Sequence, residues 1–301
     1  MIPICLVTGF LGSGKTTFLR RLVERHGGER IVYLVNEFSP HDVDGVLLEE
    51  VEEDVLAIPG GSIFCKCLVT QFIGMLQTIP ERFGGNGEPL RGVVIEASGI
   101  ANPMVIEQML AETGLDEIYE LATVVSVVDP GSLPKLVRTL PNIRAQIEAA
   151  DTLLLNKIDL FTADEVAEAE RIAREINAEA PVIRTVRCAA DVALFEARRP
   201  RGLEGEYAPC VDPNYRRFAI SFEGPVDLAA LTRGLEGLRD EIYRAKGFVP
   251  TADGTVYLDM SAAQLTIEEA DDRSGSETLA VIAHGDASDG VQEMIQSLAR
   301  I

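Results

Sequence analysis

The stretch "GFLGSGKTT", residues 9–17, follows the apolar run "IPICLVT" and opens onto "FLRRLVER". Gly9 to Thr16 satisfies G-x-x-x-x-G-K-[ST], and a strand before it and a helix after it form the setting in which that spacing is a phosphate loop. Phosphate oxygens need several donors at short range. Glycines allow backbone N–H groups to turn inward, and the helix N-terminus adds its dipole. Gly9, Gly12, Ser13, Gly14, Lys15, Thr16 and Thr17 are therefore expected to bind a nucleotide. Lys15 would reach the β- and γ-phosphates, and the Thr16 hydroxyl would ligate Mg²⁺.

Outward from that loop, short continuous apolar runs alternate with helical patterns. The runs are "IPICLVTGF", "RIVYLVNEF", "RGVVIEASG", "ATVVSVVDP", "ADTLLLNKID" and "APVIRTVRCA"; the helices are "GKTTFLRRLVER", "PMVIEQMLAE" and "DEVAEAERIAREINA". Continuous apolar runs suit strands covered on both faces, so an α/β domain with a mainly parallel sheet is predicted for residues 1–198. Residues 199–214 carry Pro and Gly without periodicity and are read as a linker. Residues 215–301 are predicted to form a small α+β domain with an antiparallel sheet, in which 269–278 is a hairpin connection.

Two further motifs fall at strand ends. "LLLNKIDL" places Asn156, Lys157 and Asp159 in N-K-x-D spacing. A carboxylate at Asp159 can accept from both N1–H and the 2-amino group of guanine, a pair adenine does not offer. Polar groups built for guanine are left unpaired by the wrong base, which makes GTP the expected ligand. "VVIEASG" ends a strand on Glu96, which can hold Mg²⁺ through water or orient the attacking water; the Gly99 N–H can face the γ-phosphate. Lys15, Glu96 and Gly99 are the expected catalytic set. "VNEFSPHDVDG" is a candidate first switch, with Asn36, Glu37 and Asp44 near phosphate or metal.

The net charge of −21 comes from 27 Lys and Arg against 48 Asp and Glu. Such a surface repels a phosphate backbone, so nucleic acid is not an expected partner. No apolar run reaches about 18 residues, so no membrane span is expected. The apolar N-terminus lacks a basic flank and reads as a first strand, not a leader. Five cysteines, an odd number without a framework pattern, fit a reducing cytoplasm.

Cys65 and Cys67 stand one residue apart in "IPGGSIFCKCLVTQF", residues 58–72. Three readings are open: a transition-metal site, a redox pair, or two small packing residues. Two thiolates need further ligands to hold a soft metal, for which Glu37, His41 or Asp42 are candidates. Lys66 between them would favour the thiolate form. Cys5 is expected in the core, and Cys188 packed or beside the base.

In this order, "TGFLGSGKTT", "VNEF" followed by "DG", "IEASGIANP" and "EAADTLLLNKIDL" resemble the CobW-like family of P-loop GTPases, and "YRAKGFV" (243–249) is similar to a segment of its C-terminal domain. The resemblance covers most of the chain. It implies a GTP-hydrolysing metallochaperone or metallocofactor-insertion factor that couples GTP state to Zn²⁺ or Co²⁺ handling for a client protein. The family usually carries Gly-Cys-x-Cys-Cys near residues 61–65. Here Ser62 and Phe64 replace two cysteines when Gly61 is aligned, and Leu68 replaces one when Cys65 is. A second reading keeps the GTPase as a switch that loads or reactivates a cofactor enzyme, such as a corrinoid methyltransferase, without carrying metal. A small-molecule kinase would use the same phosphate loop but would not need N-K-x-D.

Overall fold

The computed structural model describes residues 1–37, 55–59, 63–64, 69–84, 89–196, 202–207, 215–222, 224–261, 264–270, 277–284 and 289–298. The chain divides into two compact units, Met1–Cys210 and Val211–Ile301.

The first unit holds seven strands: β1 (Ile2–Thr8), β2 (Ile31–Glu37), β3 (Val55–Pro59), β4 (Gly92–Glu96), β5 (Tyr119–Val128), β6 (Thr152–Leu155) and β7 (Val182–Arg184). They form one sheet in the order β3-β2-β4-β1-β5-β6-β7, and every pairing is parallel. Its helices are α1 (Lys15–His26), α2 (Val69–Phe83), α3 (Ile106–Glu112), α4 (Leu133–Thr139), α5 (Pro141–Glu148) and α6 (Ala163–Ile176). The strand alternation sorts two cores. Ile4, Leu6, Val32, Leu34, Val93 and Ile95 face α2 and α3 through Phe72, Leu76, Ile106 and Met109. Cys5, Val7, Tyr33, Val94, Val125 and Val127 face α1 through Phe18, Leu19 and Leu22. Burial on both faces is why the strands read as unbroken apolar runs.

The chain moves from β1 to one side of the sheet and, after β4, to the other side. That reversal opens a crevice at the C-terminal end of β1, the usual place for a ligand in such sheets. The phosphate loop occupies it.

One strand was not foreseen. β3, "VLAIP", is a five-residue edge strand paired with β2 from Tyr33↔Val55 to Glu37↔Pro59. A short apolar run closing on Pro-Gly-Gly looks like a turn, yet Pro at the end of an edge strand costs no ladder bond. Part of the predicted linker is anchored. The Leu203 N–H donates to Glu107 on α3 at 2.9 Å, and the Tyr207 hydroxyl donates to Glu112 at 2.8 Å.

The second unit is a five-stranded antiparallel sheet in the order β11-β10-β9-β12-β8, from β8 (Tyr215–Ser221), β9 (Ile242–Thr251), β10 (Gly254–Ser261), β11 (Leu265–Glu269) and β12 (Thr278–His284). α7 (Leu228–Gly237) and α8 (Asp289–Leu298) supply Leu231, Leu235, Val291 and Ile295 to a core with Ala245, Val249, Leu258, Met260 and Val281. Residues 269–278 do not close a hairpin: β10 and β9 lie between β11 and β12. The "YRAKGFV" segment is the middle of β9. A Cβ at Gly247 would collide with the Thr278 carbonyl, so glycine is what lets β9 and β12 pair there. Arg244 forks onto Asp259 of β10 at 3.1 and 2.8 Å.

Candidate functional site

The phosphate loop turns through three glycines at positive φ: Gly9 (133°), Gly12 (74°) and Gly14 (115°). Side chains avoid that region, and space forbids them as well. A Cβ on Gly9 would strike the Val127 carbonyl, and one on Gly14 would strike the Asn156 amide. The loop is thus pressed against β5 and the end of β6. Ser13 is fully buried, Thr17 is exposed, and Gly14 sits at the N-cap of α1 with no side-chain cap. Amide groups at such a terminus are left for a ligand.

Lys15 is buried, and its Nζ donates to the Phe10 carbonyl at 3.2 Å. That holds the ammonium over the loop where β- and γ-phosphates would lie. Thr16 Oγ1 donates to Glu96 Oε1 at 3.5 Å, and Glu96 is 4% exposed at the end of β4. Adjacent oxygen ligands of an octahedral Mg²⁺ stand about 3 Å apart. The Thr16–Glu96 oxygen pair is hard, anionic and nearly at that spacing, so it fits Mg²⁺ bound directly by Thr16 and directly or through water by Glu96.

Gly99 follows β4 and lies against the phosphate loop; a Cβ there would come 2.5 Å from the Leu11 nitrogen. Its residue type is set by this close approach.

N-K-x-D divides into different parts. Asn156 is 2% exposed: its Nδ2 donates to the Ser13 carbonyl at 2.9 Å, and its Oδ1 accepts from the Cys188 N–H at 2.8 Å. With donor and acceptor both engaged, it braces the phosphate loop against the 185–188 loop. Lys157, at φ 60°, pairs with Asp129 at 3.3 Å. Asp159 is exposed at the start of a short 3₁₀ turn, available to a base. Cys188 is buried, in a pair of left-handed residues with Arg187, and its thiol donates to the Gly14 carbonyl at 3.3 Å. Burial pushes that thiol up to about 12.

The sequence reading missed Asp129. Its Oδ1 accepts from the N–H groups of Gly131 and Ser132 at 3.0 and 3.1 Å while its other oxygen takes Lys157. The signal was "VVDPGS", an Asp at a strand end before Pro-Gly, a composition typical of Asx turns.

Glu37 ends β2 beside Pro59 of β3, which puts its backbone on the same edge of the sheet as the phosphate loop. Cys65, Cys67, His41, Asp42 and Asp44 lie outside the described residues, as do the side chains of Asn36 and Glu37. Just before the thiols, Ile63 and Phe64 are fully buried, and Phe64 packs edge-on to Phe72 at 6.1 Å between ring centroids. Phe64, which replaces a family cysteine when Gly61 is aligned, is therefore a core residue.

A phosphate loop at the C-terminal end of a central parallel strand, with an acid beside its Thr and N-K-x-D two strands away, defines a P-loop nucleotide-binding protein. The chain belongs to the CobW/HypB/UreG family, whose nucleotide-binding domain matches residues 3–184; the cobalamin synthesis protein cobW C-terminal domain matches residues 215–299. The Zinc chaperone YjiA of Escherichia coli is 29% identical over 82% of this chain and 81% of its own length. The Zinc-regulated GTPase metalloprotein activator 1 of Schizosaccharomyces pombe is 31% identical over 61% of this chain and 46% of its own, so the match spans under half of that relative. The crystal structure of Zn(II)-bound YjiA GTPase from E. coli aligns over 99% of this chain and 98% of that one, at 21% identity and a TM-score of 0.46. Among the described residues, no helix is long and apolar enough to cross a membrane.

Proposed function

We propose that this chain binds and hydrolyses GTP and couples the GTP state to transition-metal handling, Zn²⁺ or Co²⁺, for a client protein. The observation that carries the reading is the reach of the match to a zinc chaperone: 82% of the chain is more than the first unit alone can supply, so the alignment draws on both units.

In this reading the N–H groups of Gly12, Gly14, Lys15 and Thr16 hold the phosphates while the Ser13 N–H closes the loop onto the Phe10 carbonyl, Lys15 neutralises charge between the phosphates, and Asp159 takes the guanine edge. Asn156 keeps the phosphate loop and the base loop in register, and Lys157, steadied by Asp129, borders the base. Mg²⁺ held by Thr16 and Glu96 would neutralise the charge that develops on the phosphates. Glu96 accepts a hydrogen bond from water and the Gly99 N–H faces the γ-phosphate. Water attacks the γ-phosphorus, the bond to the β-bridging oxygen breaks, and GDP and phosphate leave. Cys65 and Cys67, with Glu37 as a further oxygen donor, are the proposed carriers of the cargo metal.

Phosphate release from GTP and ATP, in wild type and Lys15→Ala, tests the nucleotide part. The expected result is release from GTP alone, abolished in the variant. Equal use of ATP would contradict it, and GTP consumption only with an added phosphoacceptor would make the chain a kinase.

A further inference from the structure

The loop after β4 does not rest on its own hydrogen bonds alone. Three consecutive carbonyls, those of Gly99, Ile100 and Ala101, each accept from a side-chain amide of α5. Gln146 Nε2 donates to Gly99 at 3.2 Å and to Ala101 at 3.0 Å. Asn142 Nδ2, one turn earlier, donates to Ile100 at 2.8 Å. Positions four apart share a helix face, which is what lets both amides meet one loop. Gln146 is 1% exposed, so these bonds are made away from competing water. Within the loop, the Ala101 N–H closes a turn onto the Ser98 carbonyl at 2.9 Å.

The donor helix is itself fixed. At its C-terminal end, Asn177 Nδ2 donates to the carbonyls of Ile147, Glu148 and Ala150 at 2.8, 3.3 and 2.9 Å. The chain then runs directly into β6, whose end carries Asn156. One rigid piece therefore grips the base-side strand, the phosphate loop through Asn156, and the Gly99 loop through Gln146.

We infer that Gln146, assisted by Asn142, is a positioning residue for the γ-phosphate. Gln146 fixes the 99–100 and 101–102 peptides through the Gly99 and Ala101 carbonyls. Asn142 fixes the 100–101 peptide between them, whose Ala101 N–H donates to the Ser98 carbonyl. That carbonyl shares its peptide plane with the Gly99 N–H, so the clamped loop presets this N–H before GTP arrives. A donor fixed beforehand needs no reorganisation when charge develops on the phosphate. The inference rests on the GTPase reading above and adds to it two residues that act through the backbone of the Gly99 loop.

The test uses the full chain, Gln146→Met and Asn142→Ala. Single-turnover hydrolysis of GTP would be measured, together with the affinities for GDP and a non-hydrolysable GTP analogue, each with Mg²⁺. Gln146→Met is expected to slow hydrolysis about 10- to 100-fold, as a small misplacement of a reacting group does, and Asn142→Ala less. Analogue affinity should fall while GDP affinity stays within about twofold, because GDP has no γ-phosphate for the loop to meet. A merely structural role would lower both affinities together. Asn142 is half-buried, so its variant serves if Gln146→Met does not fold. Equal loss for GDP and analogue, or a rate unchanged or raised, overturns the inference and leaves the GTPase reading standing. Failure of the wild type to bind GTP overturns both.

Discussion

The Asn156 side chain donates to the Ser13 carbonyl at 2.9 Å across 143 residues of sequence, tying the end of β6 to the phosphate loop. Together with its bond from the Cys188 N–H, this makes Asn156 a brace. Asn156→Ala should then destabilise the nucleotide-free protein by roughly 2–4 kcal/mol, the cost of leaving two buried groups unpaired. Thermal or urea unfolding without nucleotide measures it. If Asn156 served only to contact a base, nucleotide-free stability would not change.

Asp159 is exposed, and its substitution should leave folding alone, within about 0.5 kcal/mol. Asp159→Asn should lose GTP affinity by at least about 100-fold and gain affinity for XTP, whose C2 carbonyl suits an amide donor. Titration of wild type and Asp159→Asn with fluorescent GTP and XTP analogues reads this. Unchanged GTP affinity would remove Asp159 from the base site.

Thr16 and Glu96 stand together, hydroxyl to carboxylate, at 3.5 Å. Thr16→Ala should abolish the tightening of GTP binding by Mg²⁺ while leaving much of the Mg²⁺-free affinity, since the amide cradle remains. Titrating Mg²⁺ at fixed GTP analogue separates the two. A Mg²⁺ response equal to that of wild type would place the ion elsewhere.

Cys188 is held as a thiol by burial, with a pKa pushed to about 12. An ordinary thiol near 8.5 gains thiolate steeply between pH 7 and 9. Cys188 should stay protonated across that range, with about a thousandfold less thiolate at pH 8. Alkylation followed by peptide mass spectrometry should leave Cys188 unlabelled in the folded protein at pH 7 to 9 and label it in guanidinium. Labelling at the rate of a free thiol would show that the base loop opens.

The parts of this site that were legible are those whose chemistry is local in sequence. The phosphate loop needs its glycines and Lys-Thr at fixed spacing, and the two-sided burial of β1, β4 and β5 imposes unbroken apolar runs. The parts that were not legible depend on who meets whom. Asn156 is a base reader by spacing alone; its bracing role exists only because Ser13 and Cys188 arrive beside it. Asn142 and Gln146 lie in "PNIRAQIE", which the sequence reading left unassigned beside two prolines. Pro134 and Pro141 sit in the first turns of α4 and α5, where a missing N–H costs nothing. β3 went unread because its apolar run is short and ends in Pro-Gly-Gly. Sheet order was also hidden: adjacency of β11 and β12 in sequence suggested a hairpin that the antiparallel sheet does not contain.

The central claim joins a GTP switch to a metal cargo. Titration of the reduced protein with Co²⁺, with and without Mg²⁺ and a non-hydrolysable GTP analogue, tests it most directly. Thiolate-to-Co²⁺ charge-transfer absorbance is the signal, repeated in Cys65→Ser and Cys67→Ser. The account predicts tight binding that depends on nucleotide state and is lost in both variants. No thiolate signal in either state would contradict it and leave a GTPase that acts on its client without carrying metal.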